Sequence, residues 1–479
     1  MAWETVIGLE VHVELATKSK IFCSCTTQFG GEPNTHCCPI CMGMPGTLPV
    51  FNEKVLEFAL KAGIALNCEI TKYNKFDRKN YYYPDLPKAY QISQLYFPFA
   101  RNGHVDLRKT AGIDKTIRIH EIHMEEDAGK LIHSPYSEAS YPDYNRCGVP
   151  LIEIVSEPDF RTAEEVIAYL EHLRGAFEYM GISDVKMEEG SMRADVNLSV
   201  RPVGQAEFGT RTEMKNMNSF KSIQRAIEFE SRRQIEVLEA GGIISQETRR
   251  WDDNKGKSFA MRAKENAHDY RYFPEPDILP LSISDELIAT LRAAQPELAF
   301  EKRARYVADF GLTDYDADLL TRQKKFTEIF EETAALCGDP KDVSVWILGE
   351  LMRLLNDQGM HVNDLRIDAK NFADLILAVK NNTVNRNVAK KIFQELVASP
   401  DFSVAQYIAD NKLSQVGDES VIREAVLSAL SANPKTVEEF KGGKDKVVGF
   451  LVGQTMKVLA GRGNPGAVNK ILIEELQKL

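Results

Sequence analysis

The stretch 4-ETVIGLEVHVEL-15 alternates between apolar and polar residues in the manner of a β-strand that buries one face. Successive side chains of a strand point to opposite sides of the sheet. One face therefore holds the apolar side chains, which are Ile7, Leu9, Val11, Val13 and Leu15. The other face holds Glu10, His12 and Glu14. An ordinary exposed strand face favours residues such as Thr, so two carboxylates around an imidazole indicate a surface with a chemical role.

Two later segments show the same alternation. In 116-TIRIHEIHMEED-127, strict alternation predicts one face made of Ile117, Ile119, Glu121, His123 and Glu125. In 191-SMRADVNLSVR-201, the polar face contains Arg193, Asp195 and Asn197. Three separate strands are thus predicted to bury one side and to present carboxylates, amides and arginine on the other.

Carboxylates gathered in this way predict a magnesium site. Hard divalent cations prefer carboxylate oxygens and keep several bound waters, which suits an open sheet surface. A nucleotide-dependent reaction is one reason to combine such a site with cations, because Mg²⁺ bridges phosphates while Lys and Arg stabilise the transferring phosphoryl group. The candidate cations are Lys79, Arg193, Arg211 and Lys215. The alternative for each residue, Lys215 in particular, is a strand position that is merely solvated.

The common nucleotide-binding motifs are missing from the sequence. It contains no GxxxxGK(S/T) phosphate loop and no GxGxxG segment after a predicted strand. The usual nucleotide-binding folds are therefore not supported, and composition alone does not name the reaction.

The cysteines are concentrated near the start of the chain. Five of the eight lie between Cys23 and Cys41, in 23-CSC-25 and 37-CCPIC-41. Short-spaced pairs from two turns can surround one tetrahedral Zn²⁺, and four thiolates leave no open position for water, so the predicted zinc is structural. The predicted ligands are Cys23, Cys25, Cys38 and Cys41, with Cys37 and His36 as further candidates. The alternative is a set of reduced cysteines without metal.

The bulk composition is that of a soluble protein with two to four domains. The chain has 479 residues, of which 43% are hydrophobic and 27% charged. No stretch approaches the roughly 20 apolar residues of a membrane span. The opening MAWETVIGLE lacks the basic, apolar and small-residue order of a secretory signal, which favours the cytoplasm. The net charge of −11 argues against nonspecific coating of nucleic acid.

The pattern of the chain predicts an α+β region followed by helices. Residues 1–290 combine alternating strand segments with helical stretches and Gly and Pro punctuation, without βαβ regularity. From residue 284 onward the spacing is helical, and a break at 398–403 separates a final helical unit. The predicted domains are a catalytic domain at 1–290 with a zinc-binding insertion, a helical domain at 291–400 and a tail at 401–479.

Several long motifs resemble a known family, the B subunits (GatB) of the bacterial tRNA-dependent amidotransferases GatCAB. They follow one another in the order ETVIGLEVHVEL, CPICMGMPGTLPV, KFDRKNYYYPDLPKAYQISQ, MEEDAGK, NRCGVPLIEIVSEPD, RADVNLSVR, RTEMKNMNSF and HDYRYFPEPDILP. The resemblance covers essentially the whole chain, and the last unit is similar to the YqeY-like tail of that family.

The resemblance implies both a fold and an activity. It implies a mainly antiparallel cradle domain similar to glutamine synthetase and guanidino kinases, then an all-α domain and a small all-α tail. It implies that ATP and Mg²⁺ are used to phosphorylate the side-chain carboxylate of Glu mischarged on tRNA(Gln), or of Asp mischarged on tRNA(Asn). Ammonia then displaces phosphate to give the amide.

Carried over position by position, the resemblance implies roles for the polar strand residues. The implied magnesium ligands are Glu10, His12, Glu125 and Glu153, and Asp195 is implied at the same catalytic pocket. The implied contacts with the nucleotide are Lys79, Arg193, Asn197 and Lys215, and Arg211 joins them as a candidate because of its charge. His12 is the least typical ligand of this set, because imidazole suits softer metals than Mg²⁺.

The family also implies partners for this chain. Glutamine hydrolysis needs a Cys and His pair or an amidase Ser and Lys arrangement, and neither is evident around Cys147 or elsewhere. A separate amidase, the A subunit of the family, and a small C subunit are therefore expected in a heterotrimer. Residues past 290 are expected to bind tRNA, since residues 411–479 carry ten Lys and Arg against eight Asp and Glu. The candidates are Lys441, Lys444, Lys446 and Arg462, and the alternative for each is a solvated helical face.

Other interpretations of the sequence remain open. A noncatalytic scaffold would bind tRNA and a partner amidase, and a small-molecule ligase resembling glutamine synthetase would have little use for the long helical region and tail. Which mischarged tRNA is served is not encoded in these motifs. His104, His172 and His361 are expected to be ordinary surface or core histidines.

Overall fold

A computed structural model describes residues 2–261, 270–360, 362–399, 403–416, 418–442 and 444–479. The chain divides into two compact units, Met1–Phe300 and Glu301–Leu479. No helix among these described residues is both long enough and apolar enough to cross a membrane. His361 lies outside the described residues.

The first unit contains sixteen described strands. They are β1 (Trp3–Glu14), β2 (Glu69–Ile70), β3 (Tyr73–Asn74), β4 (Asp77–Asn80), β5 (Tyr90–Ser93), β6 (Ala100–Asp106), β7 (Thr116–Glu126), β8 (Lys130–His133), β9 (Ser140–Asp143), β10 (Pro150–Ser156), β11 (Met192–Pro202), β12 (Thr212–Lys215), β13 (Glu247–Asp252), β14 (Lys257–Ala260), β15 (Phe273–Pro274) and β16 (Leu281–Ser282).

Helices accompany the strands and then replace them. In the first unit they are α1 (Glu53–Ala65), α2 (Leu107–Ala111), α3 (Ala163–Met180), α4 (Phe220–Glu239) and α5 (Asp285–Ala293), and α6 (Ala299–Phe310) begins at its end. The second unit continues with α7 (Asp314–Thr321), α8 (Lys324–Cys337), α9 (Pro340–Val345), a π-helical turn (Trp346–Leu351), α10 (Met352–Gln358), α11 (Ala369–Lys380), α12 (Arg386–Ala398), α13 (Val404–Asp410), α14 (Glu419–Ala432), α15 (Pro434–Lys441), α16 (Val448–Val458) and α17 (Pro465–Lys478).

Nine strands form one large sheet in the order β14-β13-β12-β11-β1-β10-β7-β6-β2. All neighbours are antiparallel except β12 and β13, which run parallel. The strand that opens the chain is central, with β10 on one side and β11 on the other. A mixed fold with a mostly antiparallel sheet and a helical C-terminal region is therefore confirmed. A small sheet of β15, β4 and β5 accompanies it in the first unit.

The apolar face of the large sheet builds the core of the first unit. The alternating side chains of β1 are fully buried there, and α1, α3 and α4 contribute to the same cluster. Burying each such aliphatic side chain stabilises the fold by roughly 1.5–3 kcal/mol. Side-chain caps define the starts of these helices: Asn52 accepts from the Lys54 N–H, and Thr162 accepts from the Glu165 N–H.

The predicted strict alternation of β7 is wrong. Its pairing with β10 joins Glu121 to Val155 but Ile119 to Ser156, so one extra residue, His120, interrupts the register. Such a bulge reverses which side chains face the core. Ile117 and Ile119 are buried before the interruption and Ile122 and Met124 after it. His123 and Glu125 consequently share the polar face of β1 rather than the face of the two early isoleucines.

The described part of the second unit is helical, with a single bridge between Val416 and Gly463 outside its helices. It contains two hydrophobic clusters, one built from residues between Tyr306 and Ile408 and one from residues between Ile422 and Leu476. The backbone N–H of Gln415 donates to the Thr383 carbonyl at 2.7 Å, so the two helical groups are tied by backbone as well.

Candidate active site

The pairing of strands brings distant polar residues into rows on one face of the sheet. Glu10 is the register partner of Asp195, and His12 lies between Arg193 on one side and Glu153 on the other. The row continues from Glu153 to His123 on β7. Side chains of register partners point to the same face of the sheet. The polar face of β1 is therefore continued by polar side chains of β10 and β11 on either side.

Part of these rows lines a pocket of about 760 Å³. Six residues singled out from the sequence contribute to its wall, namely Glu10, His12, Lys79, Glu153, Asp195 and Lys215. The wall also contains seven residues that were not predicted, namely Leu95, Tyr96, Glu213, Thr248, Tyr270, Arg271 and Tyr272. Carboxylates, cations and aromatic rings are therefore combined in one cavity large enough for a nucleotide-sized ligand.

One acidic group in this region is built around Glu153. Its Oε2 lies 3.5 Å from His12 Nε2 and 2.9 Å from His123 Nε2. Glu125 lies beside it, with Oε1 at 3.9 Å from His12 Nε2 and Oε2 at 3.6 Å from His123 Nε2. Two imidazoles thus contact two carboxylates, and His123, which the sequence analysis did not select, contacts both.

The proximity of these groups sets their protonation. Burial disfavours the Glu153 carboxylate, but His123 and His12 overcome this effect and hold the pKa of Glu153 well below its usual range. Burial likewise disfavours the charged imidazole, yet Glu153 and Glu125 raise the pKa of His123 to about 10. The pKa of His12 is raised in the same direction, again against burial and mainly by Glu153. The group is a set of mutually stabilising charges.

A second acidic group is formed by Glu10, Asp195 and Glu213. Lys215 donates to Asp195 Oδ2 and lies 3.3 Å from Glu213 Oε1. Thr248 Oγ1 donates to Glu213 Oε2 at 2.8 Å. Burial opposes the charge of Lys215, but Asp195 and Glu213 raise the pKa of its ammonium above the usual value.

The donor atoms of each acidic group fit a bound cation. One ligand atom from each of Glu10, Asp195 and Glu213 lies within 4.8 Å of the others, and the same holds for His12, Glu125 and Glu153. Carboxylate oxygens at such separations can surround a hard divalent ion that keeps several waters. The resemblance implied four magnesium ligands, and the structure divides them between the two groups. His12, Glu125 and Glu153 lie together, whereas Glu10 lies with Asp195 and Glu213. Asn197 Nδ2 donates to Glu10 Oε1 at 3.0 Å and orients it.

Three polar residues of the 90-YQISQ-94 segment support the first acidic group. Gln91 Nε2 donates to the Glu126 carbonyl at 2.9 Å, and Ser93 Oγ donates to Glu125 Oε2 at 3.1 Å. Gln94 Oε1 accepts from the Met124 N–H at 3.0 Å. In the sequence, this segment stood out only as part of a family motif. Its supporting role was not visible there, because the residues that it contacts lie on β7, about 30 residues later in the chain.

Lys79 has a different environment from the other cations of the pocket. Its Nζ lies 5.7 Å from the centre of the Tyr81 ring and 5.1 Å from that of Tyr270, within the range of cation–π attraction. Burial opposes its charge, but the field of Glu125 and its neighbours raises the pKa of Lys79. Among the described residues, no carboxylate oxygen comes within 4.0 Å of this ammonium.

Two of the remaining predicted cations lie outside the lining of the pocket. Arg193 Nη2 donates to Asp127 Oδ2 at 2.6 Å, and Arg146 Nε lies 3.5 Å from the same oxygen. Next to them, burial and Asp127 raise the pKa of Glu14 to about 8. Arg211 is exposed and directly precedes β12. The fold therefore places Arg193 in a structural ion-pair group and Arg211 at the surface.

The cysteine-rich insertion gathers four sulfur atoms. The Sγ atoms of Cys23, Cys25, Cys38 and Cys41 lie within 4.8 Å of one another, and those of Cys38 and Cys41 are 3.9 Å apart. A tetrahedral zinc with sulfur ligands at about 2.3 Å needs sulfur separations of about 3.8 Å. Cys37 instead donates to the Asn34 carbonyl at 3.2 Å, and His36 is not part of the group.

A buried lysine supports an anionic state of this cysteine group. Lys20 has no exposed surface, and its Nζ donates to the His36 carbonyl at 2.7 Å and lies 3.7 Å from Cys41 Sγ. A buried ammonium is costly unless an anion compensates it. Thiolates held by a metal supply such an anion, so the surroundings of the four sulfurs fit zinc.

The predicted tRNA contacts lie in the second unit. Lys441, Lys444 and Lys446 are exposed, and Lys444 Nζ lies 3.5 Å from Glu439. Arg462 is half-buried, and its Nη1 donates to the Lys412 carbonyl at 2.8 Å. Arg462 thus fixes a backbone segment, whereas the three lysines present their charges to solvent.

The histidines outside the pocket have ordinary environments. His104 is exposed on β6, and the ring of His172 on α3 stacks against Phe300 with centroids 5.7 Å apart. Burial lowers the pKa of His172 to about 4. Neither residue belongs to a cluster of candidate metal ligands among the described residues.

Comparison with known proteins gives matches over both units. Residues 5–289 match the family model described as the GatB/GatE catalytic domain, and residues 328–476 match the model described as the GatB domain. The first match includes every residue that lines the pocket.

Three relatives that match over the whole chain are each named as the B subunit of aspartyl/glutamyl-tRNA(Asn/Gln) amidotransferase. The protein of that name from Lachnoclostridium phytofermentans is 58% identical over 476 residues, with 99% of each chain covered. The one from Lachnospira eligens is 57% identical over 481 residues, also with 99% of each chain covered. The one from Caldicellulosiruptor bescii is 56% identical over 483 residues, with 100% of each chain covered.

Proposed function

The chain belongs to the GatB family, and from this premise we propose that it uses ATP to amidate Glu mischarged on tRNA(Gln), Asp mischarged on tRNA(Asn), or both. The observation that carries the proposal is that one pocket is lined by Glu10, Asp195 and Glu213, by His12 and Glu153, and by the ammonium of Lys79. Among the described residues, no carboxylate oxygen lies within 4.0 Å of that ammonium. The names of the relatives indicate the substrates, and the pocket is a suitable site for the reaction.

The proposed reaction has two steps. A side-chain carboxylate oxygen of the aminoacyl group forms a bond to the γ-phosphorus of ATP as the bond to the ADP oxygen breaks, and ADP leaves with that electron pair. The nitrogen of ammonia then attacks the activated carbonyl carbon, phosphate leaves with the carbon–oxygen bonding pair, and a proton is lost from nitrogen. Both steps need correct positioning and stabilisation of negative charge more than they need a protein nucleophile.

Residues of the pocket are suited to these demands. The groups Glu10, Asp195, Glu213 and His12, Glu125, Glu153 would hold magnesium, which supplies charge neutralisation on the phosphates when bound. Lys79 is available for a phosphate oxygen, because no described carboxylate neutralises it at close range. Lys215 orders the carboxylates of Asp195 and Glu213, so its primary partner is protein.

The mostly antiparallel sheet supports the finer description of the fold. We infer a cradle similar to that of glutamine synthetase and guanidino kinases, in which an open sheet surface rather than a phosphate loop receives the nucleotide. The separate clusters of the second unit support a division near residue 400 into a helical domain and a YqeY-like tail. The catalytic domain would then cover residues 1–290.

Other proteins must complete the reaction. We infer an amidase (GatA) that releases ammonia from glutamine and a small third protein (GatC), consistent with the subunit name of the relatives. Lys441, Lys444 and Lys446 support contact between the tail and tRNA phosphates. The cysteine group is proposed to hold a structural zinc, and the complex is proposed to work in the cytoplasm, where protein synthesis takes place.

A noncatalytic scaffold is a weaker explanation of the same molecule. Glu125 and Glu153 are paired with His12 and His123, but a buried ion pair contributes little net stability, so a scaffold gains little from this group. The pocket chemistry therefore favours the catalytic function.

The assembled complex tests the proposal directly. With ammonium chloride in place of glutamine, amide formation bypasses the amidase and still requires the chemistry assigned to this chain. We expect one ADP per amidated aminoacyl-tRNA and no amide without ATP. Amide formation that proceeds at the same rate without ATP would contradict the proposal.

A further inference from the structure

Arg271 lines the pocket, and its surroundings differ from those of Lys215 in the same wall and of Arg193 outside it. Lys215 contacts Asp195 and Glu213, and Arg193 contacts Asp127, so both have anionic partners within the protein. Arg271 and Lys79 have no carboxylate oxygen within 4.0 Å among the described residues. Within the described part of the chain, two cations in the pocket wall therefore lack an anionic partner and are suited to an external anion.

The backbone of Arg271 is unusual. Its φ of 42° lies in the left-handed region, which is unfavourable for residues with a Cβ by roughly 1–2 kcal/mol. Asn80 Nδ2 stabilises this conformation by donating to the carbonyls of Arg271 at 2.8 Å and of Tyr270 at 3.2 Å. Glycine adopts such a conformation without the penalty. Having arginine rather than glycine at this position therefore costs conformational free energy. Backbone strain of this kind is concentrated at functional sites, which points to a role for the Arg271 side chain.

The segment that carries Arg271 is held firmly against β4. Phe273 and Pro274 pair with Arg78 and Asp77. Arg78 Nε also donates to Glu275 at 2.6 Å, immediately after that pairing. On the other side of Arg271, the Tyr270 ring lies over the Lys79 ammonium, so β4 and this segment together fix the two available cations.

We propose that Arg271 is a catalytic residue that binds the oxygens of the phosphoryl group while it is transferred, together with Lys79. This role rests on the proposed ATP-dependent activation. The planar guanidinium donates two parallel hydrogen bonds to phosphate oxygens, a geometry that lysine cannot reproduce. Cations that act on a transferring phosphoryl group stabilise the charge that develops in the transition state.

Arg271→Gly tests the side chain without damaging the fold. Glycine relieves the left-handed strain, so the melting temperature of the variant is expected to equal or exceed that of the wild type. In the assembled complex, kcat for ADP formation is expected to fall about 100- to 1000-fold, with a KM for ATP within a few-fold of the wild type. Free guanidinium ion should restore part of the lost rate, and Arg271→Lys should retain less than a tenth of wild-type kcat.

A matched control is Ala89→Gly. Ala89 is exposed, has a left-handed φ of 58° and does not line the pocket. This variant undergoes the same change of backbone strain and should keep wild-type kcat.

The outcomes separate this inference from the proposed function. If wild-type complex forms ADP in response to mischarged tRNA but Arg271→Gly keeps kcat within three-fold, the role of Arg271 is overturned while the function stands. A rise in KM for ATP with unchanged kcat would also overturn it, because it would place the contact in the ground state alone. If wild-type complex forms no ADP, the proposed function itself fails.

Discussion

Glu10 and Asp195 are register partners on neighbouring antiparallel strands, although they belong to motifs far apart in the chain. Their carboxylates lie close together with that of Glu213, and Lys215 contacts Asp195 and Glu213. A cluster of three acids beside one lysine on an open sheet surface is an arrangement that a divalent cation would stabilise.

Glu213→Gln should weaken the response to magnesium. The substitution keeps the size of the side chain but removes one of three carboxylates, so the affinity for the cation should fall. We expect the Mg²⁺ concentration for half-maximal ADP formation to rise about ten-fold or more, since a ligand charge in a metal site contributes several kcal/mol. A titration of the assembled complex measures it, with exposed Glu207→Gln as the control. An unchanged magnesium requirement would exclude Glu213 as a ligand.

Substitution of single cysteines should distinguish the zinc ligands. Cys38→Ser removes one of four converging sulfurs and is expected to abolish stoichiometric zinc in protein purified without chelators. Cys37→Ser should retain zinc, because the Cys37 thiol points to the Asn34 carbonyl. Elemental analysis reads both variants and the wild type. Wild-type protein without zinc, or loss of zinc from Cys37→Ser alone, would overturn the assignment.

His172 should make stability depend on pH. Its folded pKa is about 4, below the usual value of 6.5. Between these values the unfolded chain binds a proton that the folded chain does not, so stability present above pH 6.5 is lost as the pH falls. The loss from pH 7.5 to 5.5 is about 1 kcal/mol.

Thermal melting at those two pH values measures this effect. His172→Gln cannot titrate and should show a smaller decrease in melting temperature between pH 7.5 and 5.5 than the wild type. Exposed His104→Gln should behave like the wild type. An identical decrease in all three proteins would show that His172 does not contribute.

Reversing charges on the tail should weaken tRNA binding. Lys441, Lys444 and Lys446 are exposed, and phosphate contacts of such lysines supply affinity that falls with salt. The triple change to Glu is expected to raise the KM for mischarged tRNA about ten-fold or more while leaving kcat at saturating tRNA unchanged. Lys457→Glu, which alters an exposed lysine of α16, is the control. Equal KM values would exclude this surface.

Local periodicity explains how much of the site was predictable. Alternation in β1 and β11 placed Glu10, His12 and Asp195 on polar faces, and all three line the pocket. The same rule applied to 211-RTEMK-215 puts Glu213 on the face of Lys215, so this residue was within reach of the sequence. The spacing of the cysteines likewise favoured Cys38 over Cys37, in agreement with the positions of the sulfurs.

Other features depend on tertiary structure and have no local signal. The bulge at His120 changes the face of His123 and Glu125, and alternation alone cannot reveal an extra residue. From the sequence, Arg193 was as suitable as Lys79 for phosphate, and only the structure shows its contact with Asp127. The proposed role of Arg271 rests on its backbone φ angle and on the absence of a nearby carboxylate among the described residues. Neither feature can be derived from the sequence.

The most direct test of catalysis in this pocket is ADP formation by Glu125→Gln in the assembled complex with mischarged tRNA. Removing one carboxylate from the group of His12, Glu125 and Glu153 should lower kcat by about two orders of magnitude or more, since it removes charge stabilisation worth several kcal/mol. Glu121→Gln, on the same strand but outside the two acidic groups, is the matched control and should retain wild-type activity. If Glu125→Gln turns over ATP as fast as the control, the acidic pocket is not where activation takes place.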